Sequence, residues 1–149
     1  MKKTSTKLNE CNIILPALSV NEGICRAMVG AFLSQLNPTI EELADIKCAV
    51  SEAFTNAVVH AYKAQDEEIG KVYIALTSDR SGRVKIIVRD RGCGIPDIAL
   101  ARTPLFTTDP DGERSGMGFA VMESFCDRVL VWSQPSRGTK VTLLKSLQR

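Results

Sequence analysis

Between residues 72 and 89 the chain adopts a period of two, and that pattern limits the folds open to it. Val72, Ile74 and Leu76 alternate with Tyr73, Ala75 and Thr77, and beyond Ser81-Gly82, Val84, Ile86 and Val88 alternate with Lys85, Ile87 and Arg89. Alternation on both sides of a short glycine-bearing loop predicts an antiparallel strand pair with one buried face. Such a face needs a covering layer, and the preceding sequence supplies helices. Ser19 with Glu22 reads as a capping box opening a helix to Leu36, which Asn37-Pro38 stops. Thr39 with Glu42 repeats the signature and opens a longer helix to about Tyr62. Ahead of both, Ile13-Ile14-Leu15 closes a first strand over residues 8–15.

Residues 91–115 are rich in Gly and Pro and hold no sustained period, which predicts a long functional loop. A short helix over residues 116–126 follows, then strands over 128–133 and 139–145 around the turn Pro135-Ser136-Arg137-Gly138. With 149 residues this makes one domain over 1–149, with residues 1–7 as a flexible tail. The expected class is α/β of the α+β kind. It is a two-layer sandwich with a mixed, mostly antiparallel sheet and helices on one face, not a doubly wound parallel sheet.

Composition narrows the function. The net charge is +2 and the basic residues are scattered among acidic ones, which argues against a nucleic-acid partner held by phosphate neutralisation. No apolar run approaches the ~20 residues of a membrane span, and no apolar stretch follows the basic Met1-Lys2-Lys3 start. Cys11, Cys25, Cys48, Cys93 and Cys126 lack metal-ligand spacing and read as buried, reduced thiols of a cytoplasmic protein.

Three segments carry chemistry. On the second helix, Leu43, Ile46, Val50, Phe54, Ala57 and Ala61 form the core stripe, while Glu52 and Asn56 share the opposite face. An exposed Glu/Asn pair is ordinarily just solvated, but Cys48, Ala49 and Val59 around this one suggest that something covers it. A carboxylate there can take a proton and a carboxamide oxygen can ligand a hard cation. His60 reads as a hydrogen-bonded residue near the helix end. Asp90-Arg91-Gly92-Cys93-Gly94 ends a strand, where glycines allow close backbone approach to a flat ligand and the acid can accept from an amine. Gly112-Glu113-Arg114-Ser115-Gly116-Met117-Gly118 runs into a helix whose free N–H groups suit phosphates. Each segment alone is a weak signal.

In this order and spacing they resemble the ATP-binding fold shared by histidine kinases, the gyrase B subunit, Hsp90 chaperones and MutL proteins, a Bergerat-type fold, over roughly residues 40–145. Within it, the chain is similar to the stand-alone serine kinases that double as anti-sigma factors in sporulation. The likeness rests on Asn21-Glu22 through Arg26, Ile46-Lys47, Ser51-Glu52-Ala53, Asn56-Ala57, Pro104-Leu105-Phe106-Thr107-Thr108 and Glu113-Arg114-Ser115-Gly116-Met117-Gly118-Phe119. Arg91 stands where that fold more often has an acidic or small residue.

The resemblance implies the following roles. Asn56 would hold Mg²⁺ against the phosphates of ATP or ADP, and Glu52 would take the proton of an attacking serine. Asp90 would accept from the adenine amine, with Gly92 and Gly94 alongside and Thr139 in support. The amides of Gly116, Met117 and Gly118 would hold phosphates, Arg114 would reach the γ-phosphate, and Thr107, Thr108 and Ser115 would complete the nucleotide site under a lid. The implied partners are a sporulation sigma factor and an anti-anti-sigma antagonist as the serine substrate. Neither nucleic acid nor membrane is among them. Rival readings are a general-stress kinase of the same family, a non-catalytic nucleotide-gated module and a detached histidine-kinase catalytic domain.

The first helix adds a surface. Gly23, Arg26 and Gly30 share a face, so that glycines would admit another backbone while Arg26 reaches a carboxylate on either protein partner. Cys25, Met28, Val29, Phe32, Leu33 and Leu36 cover more arc than one core face needs, which suits a homodimer or a thick core.

Overall fold

The computed structural model describes residues 7–62, 69–103 and 118–148. Strand β1 (Lys7–Pro16) leads into α1 (Asn21–Ser34) and α2 (Ile40–Asn56). The hairpin β2 (Lys71–Asp79) and β3 (Arg83–Asp90) follows, then α3 (Ile98–Ala101), α4 (Gly118–Phe125) and the hairpin β4 (Arg128–Gln134) and β5 (Gly138–Ser146). The five strands lie in the order β1-β2-β3-β5-β4. The mixed sheet expected from sequence is antiparallel at every pairing. Lys7, assigned to the tail, begins β1.

Alternation decides the layers. Val72, Ile74 and Leu76 of β2, Val84, Ile86 and Val88 of β3, and Val141 and Leu143 of β5 are buried. They share one core with Val29 and Leu33 of α1, Ile46, Val50 and Phe54 of α2, and Met122 of α4. Their neighbours along the strands form the opposite, open face, where Ile14, Tyr73, Arg89, Lys140 and Trp132 stand in one row across the sheet. Of the wide arc on α1, Cys25, Val29, Phe32 and Leu33 are core and Leu36 packs at its edge, leaving Met28 exposed.

Thr39 caps α2 as its sequence predicts. Its hydroxyl accepts from the Glu42 amide at 3.0 Å and the Glu42 carboxylate accepts from the Thr39 amide at 2.9 Å. The other carboxylate oxygen accepts from the Gln148 amide at 2.6 Å, so this cap also holds the end of the described chain. The matching expectation at Ser19 fails. Val20 is the N-cap without a side-chain bond, the Glu22 amide reaches only the Ser19 carbonyl, and the Asn21 amide group donates to Pro16. This helix also ends at Ser34, not Leu36.

The Gln148 and Thr39 amides hold the Glu42 carboxyl below its ordinary pKa of 4.5. Ionised Glu42 therefore stabilises the fold above that value, and the contribution is lost as pH falls through the lowered one. Glu42→Gln should cost about 1 kcal/mol at pH 7 and lose less stability on acidification than wild type. Urea unfolding at pH 7 and pH 4 measures both, and an unchanged acid dependence would assign that sensitivity to another carboxylate.

Candidate functional site

Glu52 and Asn56 lie half-buried on α2, and the element that covers them is α4. A β-carbon on Gly118, the first residue of α4, would stand 3.2 Å from both Asn56 Nδ2 and Glu52 Oε2. A larger residue would crowd the pair, so glycine keeps the carboxylate and carboxamide beside the helix's N-terminal end. The first N–H groups of a helix lack intrahelical partners, and such an end carries a partial positive charge.

Beyond Asn56 the sequence predicted continued α-helix to about Tyr62. Ala57–Ala61 is instead a π-helical turn, and Tyr62 leaves it extended. The carbonyls of this turn serve another segment. Ala61 accepts from the Cys93 amide at 2.9 Å, and His60 accepts from the Cys93 thiol at 3.2 Å. A methyl group on Gly92 would land on the Ala61 carbonyl, so the glycine sits here for close approach. Single π-turns of this kind concentrate at functional sites.

Cys93 is exposed, against the expectation that the thiols are buried. Cys25 and Cys126 are buried, and burial pushes their thiols up to about 12 and about 11.

The segment bonded to that turn holds Asp90, only 6% exposed at the end of β3. Its Oδ1 accepts from the Gly92 amide at 2.9 Å and from the Thr139 amide at 3.2 Å. Burial raises its pKa against the opposing pull of those two amides. Among the described residues no donor reaches Oδ2, which leaves one carboxylate oxygen for a ligand.

Three other residues complete this turn, and the sequence reading gave them no part in it. Ser133 Oγ receives the Ile95 amide at 2.7 Å and lies 2.9 Å from Thr139 Oγ1. Gly138, at φ 107°, brings β5 so close that a methyl group would strike the Asp90 carbonyl. The Tyr62 hydroxyl accepts from the Arg91 amide at 2.8 Å. The Pro-Ser-Arg-Gly turn signalled Gly138 as a hairpin residue, and nothing local signals the other two. Between this turn and α4, the long loop of the sequence reading contains the single-turn α3. Asp97 caps it, and Arg102 just beyond bonds Glu123 of α4.

The family model for the histidine kinase-like ATPase domain matches residues 15–145. The anti-sigma F factor of Bacillus licheniformis is 49% identical over 141 residues, which are 95% of this chain and 94% of the relative. The anti-sigma F factor of Bacillus subtilis (strain 168) is 48% identical over the same shares. The chain belongs to the anti-sigma F factor family. Among solved structures, the RsbU and RsbW domains of Rv1364c from Mycobacterium tuberculosis superpose with a TM-score of 0.70 at 25% identity. That match covers 95% of this chain and 33% of the other. A blue-light activated histidine kinase domain from Erythrobacter litoralis shares the fold at a TM-score of 0.54 and 18% identity over 89% of this chain.

The fold brings the singled-out residues into two linked groups. Glu52, Asn56 and Gly118 meet where α2 faces α4, and Asp90, Gly92 and Thr139 meet at the ends of β3 and β5, with Gly94 packed close against Gln134 at the end of β4. The π-turn joins them, starting beside Asn56 and bonding Cys93. Thr107, Thr108, Arg114, Ser115, Gly116 and Met117, and with them most of the expected lid, lie outside the described residues.

Arg91 turns away from this cluster. Its guanidinium stacks over Tyr73, 4.7 Å from the ring centre, on the open face of the sheet. Arg26 stands on the exposed side of α1 with Glu22 Oε1 at 3.6 Å. Gly30, expected to share a docking face with it, is buried against Lys47 of α2, whereas Gly23 opens onto empty space. No helix among the described residues is long and apolar enough to cross a membrane.

Proposed function

We propose that this protein is a cytoplasmic ATP-dependent serine kinase and anti-sigma factor, which holds a sporulation sigma factor of the sigma F kind and phosphorylates its anti-anti-sigma antagonist. The observation that carries the reading is the convergence of Glu52 and Asn56 on the first residue of α4. A proton acceptor, a cation ligand and a phosphate-favouring helix end at one point are what phosphoryl transfer asks of a protein.

The residues suit a nucleotide. The open oxygen of Asp90 fits the amine of adenine, and Gly92, Gly94 and Thr139 shape its surroundings. Asn56 would ligand Mg²⁺, and the amide of Gly118, with those of Gly116 and Met117, would receive phosphate oxygens. Arg114, Ser115, Thr107 and Thr108 belong to the same site in this reading. Bound Mg²⁺ supplies neutralisation of phosphate charge. Glu52 takes the proton of the substrate serine as its oxygen bonds to the γ-phosphorus and the bond to ADP breaks.

The sigma factor reaches this proposal through the names of the relatives, several of which are anti-sigma F factors. A homodimer belongs to the same reading, and Leu130 and Trp132 stand exposed together on the open face at the β4 edge of the sheet. Incubation with γ-labelled ATP and the antagonist should give acid-stable phosphoserine on the antagonist. Acid-labile label would favour a histidine kinase, and nucleotide-dependent sigma binding without any label would leave only a gated binding module.

A further inference from the structure

The β2–β3 ladder ends at the pair Val72 and Asp90, so continued pairing would set Lys71 opposite Arg91. A side chain takes that rung. The Tyr62 hydroxyl accepts from the Arg91 amide at 2.8 Å and donates to the Lys71 carbonyl at 2.7 Å. The phenol oxygen therefore stands between two backbone groups that would otherwise pair, and the chain turns away immediately after Asp90.

Both ends of this strut are fixed. The Tyr62 ring lies over Gly70, where a methyl group would collide with it, and the Gly70 carbonyl receives the Ala17 amide at 2.8 Å. On the other side Tyr62 follows directly from the π-turn that carries the Cys93 bond. Burial also raises the phenol's pKa, so the hydroxyl keeps its donor proton at neutral pH. The consequence falls on Asp90, whose Oδ1 is committed to the Gly92 and Thr139 amides and whose Oδ2 is aimed by the path of the turn.

We propose that Tyr62 is a positioning residue for base selectivity, its hydroxyl setting the turn that aims the Asp90 carboxylate at the purine amine. This rests on the reading of Asp90 as the acceptor of that amine. A purine with a carbonyl in place of the amine would gain nothing from a well-aimed carboxylate, so Tyr62 acts on the preference for adenine and not on affinity in general.

The test compares ATP and ITP binding by calorimetry for wild type, Tyr62→Phe and Asp90→Asn. Tyr62→Phe keeps the ring on Gly70 and should weaken ATP about fivefold, the equivalent of one neutral hydrogen bond, while leaving ITP unchanged. In the same variant the Arg91 amide should lose protection from hydrogen exchange, with Val72 and Val88 still protected. Gly70→Ala, which displaces the ring, should reproduce the selectivity change if Tyr62→Phe does not fold. Asp90→Asn should erase or reverse the preference, because its amide can donate to the ITP carbonyl. Equal losses for ATP and ITP in Tyr62→Phe would make Tyr62 merely structural. An unchanged Tyr62→Phe beside a collapsed preference in Asp90→Asn would overturn Tyr62 alone. A preference that survives Asp90→Asn would overturn the Asp90 reading and this proposal with it.

Discussion

Glu52→Gln should slow phosphoryl transfer to the antagonist by about 10²–10⁴-fold, the usual cost of a lost general base, with ATP affinity within a few-fold of wild type. Glutamine has nearly the shape of glutamate, so the contact beneath Gly118 survives and α4 keeps its place against α2. The ability to take a proton is what disappears. No ion pair involves Glu52 among the described residues, so the substitution breaks no salt bridge. Rapid-quench single turnovers with labelled ATP isolate the chemical step, and unchanged melting temperatures exclude a folding defect. Wild-type rates of phosphoserine formation would remove Glu52 from the role and leave Asn56 and the helix end as the whole of the chemistry.

What the sequence disclosed followed from local physics. The hairpins were legible because period two and turn residues act over a few positions, and Gly82, at φ 86°, lies where Ser81-Gly82 indicated. Thr39 and Glu42 were legible because a capping box is closed by residues three apart. The same signature misled at Ser19, where the Asn21 side chain found the Pro16 carbonyl and the helix began one residue after Val20.

The π-turn was illegible because its carbonyls answer to Cys93, more than thirty residues away. Ser133 and Tyr62 escaped notice for the same reason, since each holds backbone amides of the distant segment that follows β3. Asp90, Gly92 and Thr139 were visible as residue types in an order, but the bonding of one carboxylate oxygen to two amides was not.

Arg26→Ala should weaken the complexes with both the sigma factor and the antagonist by about 2 kcal/mol, roughly thirtyfold, while ATP affinity stays near wild type. The surface around Arg26 gives the reason. Arg26 shares an outward flank of α1 with Gly23, which opens onto empty space, while Val20, Ile24 and Met28 form an exposed apolar row on the other flank. An exposed guanidinium next to open space can reach a partner's carboxylate, as an interface anchor does. Glu22, at 3.6 Å, holds the arginine only loosely in the free protein, so an incoming carboxylate can claim it at little cost. The glycines contribute less than their spacing suggested, because Gly30 accommodates Lys47 within the chain and Gly23 alone leaves room for a partner's backbone. Gly23→Leu should therefore block both complexes more severely than Gly30→Ala, whose methyl meets Lys47 at an ordinary 3.5 Å. Titration calorimetry with each partner and with ATP separates the possibilities. Parallel losses in ATP and partner binding would make Arg26 a structural residue, and wild-type partner affinity would make it surface without a role.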